Sequence, residues 1–357
     1  MRIPPSLKPG ATIGITAPSF GATIEPYKTR FAEAIRLFRS RGYKVIIGET
    51  CSKSDGLGIS TKPSVAAKEL QDFYLNPDIQ AIISCGGGEL MCETVGCLNF
   101  EAIRQAPPKW FMGYSDNTNF IHPLVTLCDT AAIYGPTITG FGKPWEQPET
   151  AAVALLEGTS STVHGYPLFQ LPEAGTEAKE ANPLSRYILT EKKKLRTYLP
   201  DSNGLRPAKK TERIRLEGLL LGGCLDVLNN LAGTKLDNQK TFNSHSGDII
   251  WVLEACDYNP MDIRRALWHL DSCGWFESAK GFVIGRPLAA WQQEMMGVDQ
   301  YNAVTDILGR HNIPIVMDAD VGHISPAMPL VMGSKASVRV KGNSIEVTMD
   351  VSSTVKQ

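Results

Sequence analysis

Two rhythms of apolar and polar positions divide the chain. In its first part, short apolar runs alternate with segments whose apolar residues recur at helical spacing. Residues 11–17 (ATIGITA) read as a strand stopped by Pro18-Ser19. Phe31, Ile35 and Phe38 then share one face of a helix over 28–40, which Gly42 ends before a strand at 43–47. Val65, Leu70 and Phe73 mark a helix at 63–75. Strands are expected at 79–85, running into Gly86-Gly87-Gly88, and at 109–114, running into Ser115. This alternation predicts a parallel sheet covered by helices on both faces.

The rhythm fades over roughly 142–213, which is rich in Pro, Gly, Thr, Glu and Lys. From about 214 it returns. Strands are predicted at 215–221, 248–253, 281–284 and 315–317, with helices at 222–231, 260–270 and 301–308. Residues 337–340 and 344–349 read as a hairpin over Lys341-Gly342-Asn343. Three regions follow: 1–165, a linker with inserted loops at 166–213, and 214–357. A length of 357 residues also favours two domains over one.

Composition narrows the classes. The 36 basic and 37 acidic residues nearly cancel, which argues against binding nucleic acid polymers or anionic membranes. The N-terminus lacks the apolar core of a secretory signal, and no run of about 18 apolar residues occurs, so a cytoplasmic chain with no membrane association is expected. None of the eight cysteines forms a C-x-x-C pair, so they read as free thiols rather than zinc ligands.

The sharpest chemical candidate is Gly113-Tyr114-Ser115-Asp116-Asn117-Thr118. A strand-to-helix turn projects a serine hydroxyl, and the following backbone N–H can receive an oxyanion. Asp116 and Asn117 also suit an ordinary helix cap. Among six histidines, His323 stands in a loop framed by Gly322 and Pro326, a setting suited to a base. His122 reads as a structural or surface residue. Glu254 ends an apolar strand, where a carboxylate needs a partner; Asp226 and Asp257 compete with it for the role of orienting acid. The Gly86–Gly88 run lets backbone N–H groups approach a ligand, but no P-loop or dinucleotide fingerprint follows. Arg286, after a strand end, is a candidate to hold a substrate carboxylate.

Taken together, Gly14–Ser19, the glycine turn, Gly113–Asp116, Leu253-Glu254, Gly322-His323 and Pro329 resemble the LD-carboxypeptidase family of serine peptidases. That family includes muropeptide LD-carboxypeptidases and microcin C self-immunity hydrolases. The resemblance implies a Rossmann- or flavodoxin-like N-terminal domain carrying the nucleophile. It implies a mixed α/β C-terminal domain with a β-rich, barrel-like core supplying the other two groups. It further implies a triad of Ser115, His323 and Glu254, an oxyanion hole from Asp116 with Gly87 or Gly88, a homodimer, and neither metal nor cofactor. Glu89 and Arg286 are weaker substrate-binding candidates. Cys85-Gly86-Gly87-Gly88-Glu89 departs from the Arg-Gly-Gly-Tyr-like turn of the muropeptide enzymes, and the stretch between the domains is long. The long stretch looks more like the microcin-immunity branch, and the resemblance implies a small peptide or aminoacyl-nucleotide substrate. An aromatic for a base to stack on would come from Trp145, Tyr187 or Trp291.

Overall fold

The structure, a computed structural model, describes residues 1–202 and 204–353. The strand at Thr12–Thr16 forms where four of five consecutive residues are buried, and it seeds a six-stranded sheet. Spatially that sheet runs Leu330–Met332, Ala132–Tyr134, Trp110–Gly113, Ala81–Ser84, Thr12–Thr16, Lys44–Ile47. The last five are mutually parallel. Leu330–Met332 joins antiparallel, pairing Val331 with Ile133. Near-continuous apolar strands such as Trp110–Gly113 are buried throughout, as expected when helices cover both faces. The helices Tyr27–Ser40 and Pro63–Leu75 lie within a residue of their predicted bounds, the latter opened by Pro at its first position.

The second sheet has nine strands. Its centre is four parallel strands, Arg213–Cys224, Ile249–Glu254, Ala279–Gly285 and Ile315–Ala319. The predicted hairpin, Lys335–Lys341 with Ser344–Met349, extends one side antiparallel to Arg213–Cys224. The architecture is therefore mixed α/β with two large sheets, the first largely parallel.

The halves interlock more than a linear division suggests. Thr162–His164, inside the region assigned to the first domain, closes an edge of the second sheet beside Ser344–Met349. Leu330–Met332 crosses the other way. Within the expected linker 166–213, the described residues include the helix Pro172–Ala181 and the paired strands Arg196–Asp201 and Gly204–Pro207, which extend the second sheet beyond Ile315–Ala319. A helix at Gln147–Glu157 precedes it, capped reciprocally by Glu146 and Glu149 and ended by Gly158 at φ 66°. Among the described residues no helix is long and apolar enough to cross a membrane.

Candidate active site

Open parallel sheets present ligands at the carboxyl ends of their strands, and the predicted residues converge at such ends. Ser115 follows Trp110–Gly113 at φ 62°, a left-handed conformation rare for a residue with a side chain. The next residues make a short 3-10 turn, Ser115–Asn117, leading into the helix Thr118–Thr126. Asp116 is buried and serves the turn: its Oδ2 accepts from Ser19 Oγ (2.6 Å) and Met91 N (2.9 Å), and its Oδ1 from Asn119 Nδ2 (2.8 Å). Its carboxyl pKa is raised by burial, against those hydrogen bonds.

From the second sheet, Glu254 ends Ile249–Glu254, and His323 follows Ile315–Ala319 after a short loop. His323 Nε2 lies 2.8 Å from Ser115 Oγ, and its Nδ1 lies 2.8 Å from Glu254 Oε2. Two glycines make room for the carboxylate. A Cβ on Gly322, at φ +99°, would stand 2.5 Å from Glu254 Oε2, and one on Gly285 would stand 3.0 Å from Glu254 Cβ. Burial by itself favours the neutral imidazole, but Glu254, aided by the Cys256 thiol, outweighs it and raises the His323 pKa well above its usual range. Burial likewise pushes Glu254 up, yet the His323 charge and hydrogen bonds from His323 and Tyr134 prevail and lower it. The series places the imidazole between a buried carboxylate and a serine hydroxyl, an arrangement in which the neutral ring can accept the Ser115 proton.

Tyr134 is the component that local sequence pattern missed. Its hydroxyl accepts from Ser115 N (3.0 Å) and donates to Glu254 Oε1 (2.5 Å). It thereby ties the strained serine backbone to the acid. The one local signal was its place at the end of a sheet strand, Ala132–Tyr134.

The remaining candidates are sorted by their contacts. Gly87 faces the serine: a Cβ there would lie 3.4 Å from Ser115 Cβ. Gly88, at φ +146°, instead backs onto Ser19 and Phe20. Glu89 is exposed, its pKa raised by partial burial and by Asp257, Asp116 and Asp226, against the pull of His323. Neither competing acid bonds to His323 among the described residues. Asp226 accepts from the backbone N–H groups of Cys256 (3.1 Å), Asp257 (2.9 Å) and Tyr258 (3.2 Å), fixing the loop after Glu254; Asp257 is exposed. His122 is buried and stacked on Trp275 at 4.9 Å, and burial lowers its pKa to about 4. Trp145 packs on Phe38 and Phe141, and Trp291 stands edge-on to Phe169, so of the three aromatics only Tyr187 reaches the cavity beside the serine.

Arg286 is not in the site. Only 1% exposed, it donates from Nη1 to Asp318 O (2.9 Å) and from Nη2 to Asp320 Oδ1 (2.9 Å). Asp320 also takes Lys193 Nζ at 2.7 Å. The two aspartates of the facing strand end turn the guanidinium into the interior, because a buried cation needs such partners. Its charge holds the segment leading to His323 and is not free for a ligand.

The LD-carboxypeptidase N-terminal domain matches residues 13–135, and the LD-carboxypeptidase C-terminal domain matches 217–338. The microcin C7 self-immunity protein MccF of Escherichia coli is 25% identical over 350 residues, covering 97% of this chain and 96% of its own. The structure of MccF in complex with glutamyl sulfamoyl guanosine superposes with a TM-score of 0.75 at 19% identity, covering 98% of each chain. A muramoyltetrapeptide carboxypeptidase from Oxalobacter formigenes superposes at 0.68 with 20% identity, covering 95% of this chain and 98% of that one. With the family's two domains matched in order on the halves that supply Ser115 and the Glu254–His323 pair, the chain belongs to the LD-carboxypeptidase family of peptidases.

Proposed function

We propose that the protein is a serine peptidase that cleaves an amide bond through an acyl-enzyme, with Ser115 as nucleophile, His323 as base and Glu254 as orienting acid. The observation that carries this reading is the unbroken series Ser115 Oγ–His323–Glu254 at 2.8 Å for each step. His323 Nε2 takes the hydroxyl proton as Oγ attacks the carbonyl carbon. The oxyanion that forms is held by the N–H of Asp116 and of the glycine turn, Gly87 or Gly88, of which Gly87 lies against Ser115. His323 then returns the proton to the leaving nitrogen and the C–N bond breaks. Water, deprotonated by the same imidazole, attacks the ester and frees the carboxylic product. Glu254 remains ionised throughout and holds Nδ1–H.

The favoured substrates are peptidyl or aminoacyl nucleotides joined by an amide. Support comes from the higher TM-score with the relative that holds glutamyl sulfamoyl guanosine and from the glycine turn that departs from the muropeptide pattern. The likeness to the muramoyltetrapeptide carboxypeptidase keeps a second reading, removal of a terminal residue from a murein L,D-tetrapeptide. A hydrolysis panel containing aminoacyl sulfamoyl adenosines and an L,D-tetrapeptide separates the two. Cleavage of the nucleotide class alone is expected. Ser115→Ala is expected to lower turnover by roughly 10⁴-fold or more with folding retained. Undiminished hydrolysis in that variant would exclude Ser115 as nucleophile.

A further inference from the structure

A cavity of about 140 Å³ opens beside the serine, lined by Tyr27, Arg30, Tyr114, Tyr134, Lys179 and Tyr187 among others. It adjoins the reacting groups directly. Tyr114 precedes Ser115 and stands 5.2 Å from the His323 ring, while Tyr134 bonds both Ser115 and Glu254. Its far wall carries an unbalanced charge. Lys143, buried beneath, is neutralised by Glu146 at 2.7 Å and Glu149 at 3.1 Å. Glu149 is engaged on its other oxygen by the Tyr187 hydroxyl at 2.7 Å.

Arg30 and Lys179 have no such partner. Arg30 is buried, and its Nε and Nη2 donate to the carbonyls of Pro183 and Ser185; Glu149 favours its charge through space, but no carboxylate bonds it among the described residues. Among the described residues Lys179 Nζ has neither an ion pair nor a hydrogen-bond acceptor. Burial, then Arg30 and Lys143, all disfavour its charged form and lower its pKa. Placing two like charges together in a partly desolvated pocket is unfavourable unless an anion joins them. The local group holds three cations, Arg30, Lys143 and Lys179, against two carboxylates, Glu146 and Glu149.

We propose that Lys179 and the unengaged Nη1 edge of Arg30 bind a carboxylate of the substrate close to the scissile amide, making the cavity an acidic-group subsite. This rests on the hydrolase reading above for its adjacency to the reacting bond, but binding itself requires no turnover. Arg30 supplies planar donors and Lys179 a mobile point charge. Arg30 also anchors residues 183–185, which follow the helix that carries Lys179, so one side chain both lines the subsite and holds its wall. The carboxylate belongs either to the acyl side or to the leaving side of the amide.

Calorimetric titration of the Ser115→Ala protein tests this without chemistry. The probes are two matched pairs: glutamyl against glutaminyl sulfamoyl adenosine, and an L,D-tetrapeptide with a free terminal carboxylate against its terminal amide. In one pair the charged member binds at least about tenfold more tightly. The responding pair tells which side of the bond carries the recognised group. Lys179→Met removes that preference, and Lys179→Arg retains it. If Lys179→Met leaves both ratios unchanged, or if neither charged probe binds better than its neutral partner, the subsite is refuted. Turnover that survives Ser115→Ala would sink the hydrolase reading while leaving these binding ratios intact, so the two failures are distinguishable.

Discussion

At the scale of single residues, the site sets two opposing demands on His323. The carboxylate that orients the ring also holds its proton, so the pKa lies above the usual 6.5. A base must be deprotonated to act. Turnover should therefore rise with pH along an acid limb displaced to the alkaline side of 6.5, and Glu254→Gln should move that limb downward while cutting the maximal rate. A wild-type limb at or below the free-histidine value would contradict this. The stability linkage has the matching sign. With the folded-state pKa raised, the ion pair contributes fully below the unfolded value, and that contribution is lost as pH climbs through the folded one. Ser115 itself sits in a backbone well that costs about 1–3 kcal/mol, and the Tyr134 hydroxyl on its N–H helps to hold it there.

Elements meet at the site through close packing that tolerates no extra atom. The loop from Ala319 to His323 lies directly over Glu254, and Gly322 lets it do so. Gly322→Ala would strain a residue at φ +99° and push a methyl group against the carboxylate. Destabilisation of about 1–3 kcal/mol is expected, together with a loss of kcat that exceeds any change in KM. Urea unfolding and steady-state kinetics measure both; an alanine variant with native kcat would show that the loop has slack. Elements also differ in how plainly they show in sequence. The helix at Pro63–Leu75 announced itself by the spacing of Val65, Leu70 and Phe73. Gln147–Glu157 did not, since its cap is a glutamate instead of a short polar residue. Arg196–Asp201 and Gly204–Pro207 are half-exposed strands at the sheet's edge, so little apolar alternation marks them.

For the whole molecule, the exchange of strands matters most. Leu330–Met332 completes the first sheet, Thr162–His164 the second, and the buried apolar side chains of both form one continuous cluster. Ser115 and His323 are thus fixed by a shared interior and not by a hinge between independent bodies. A single calorimetric unfolding transition is expected, with the calorimetric and van't Hoff enthalpies equal. Two resolved transitions would show that the halves fold separately.

The sequence by itself determined the strand–turn–helix setting of Ser115, the strand-end position of Glu254 and the glycine-framed loop of His323, because each follows from local period and turn chemistry. The family resemblance implied that these three act together, but the contacts themselves, and Tyr134 among them, belong to the tertiary structure. Ser115 and His323 are separated by 208 positions, His323 and Glu254 by 69, and Tyr134 and Glu254 by 120. No local pattern encodes such pairings. The same holds for Arg286, whose strand-end position pointed toward a ligand until the facing aspartates drew it inward. It holds also for Lys179, which no sequence pattern singles out and which becomes a subsite candidate only because its helix places it in the wall of the serine's cavity.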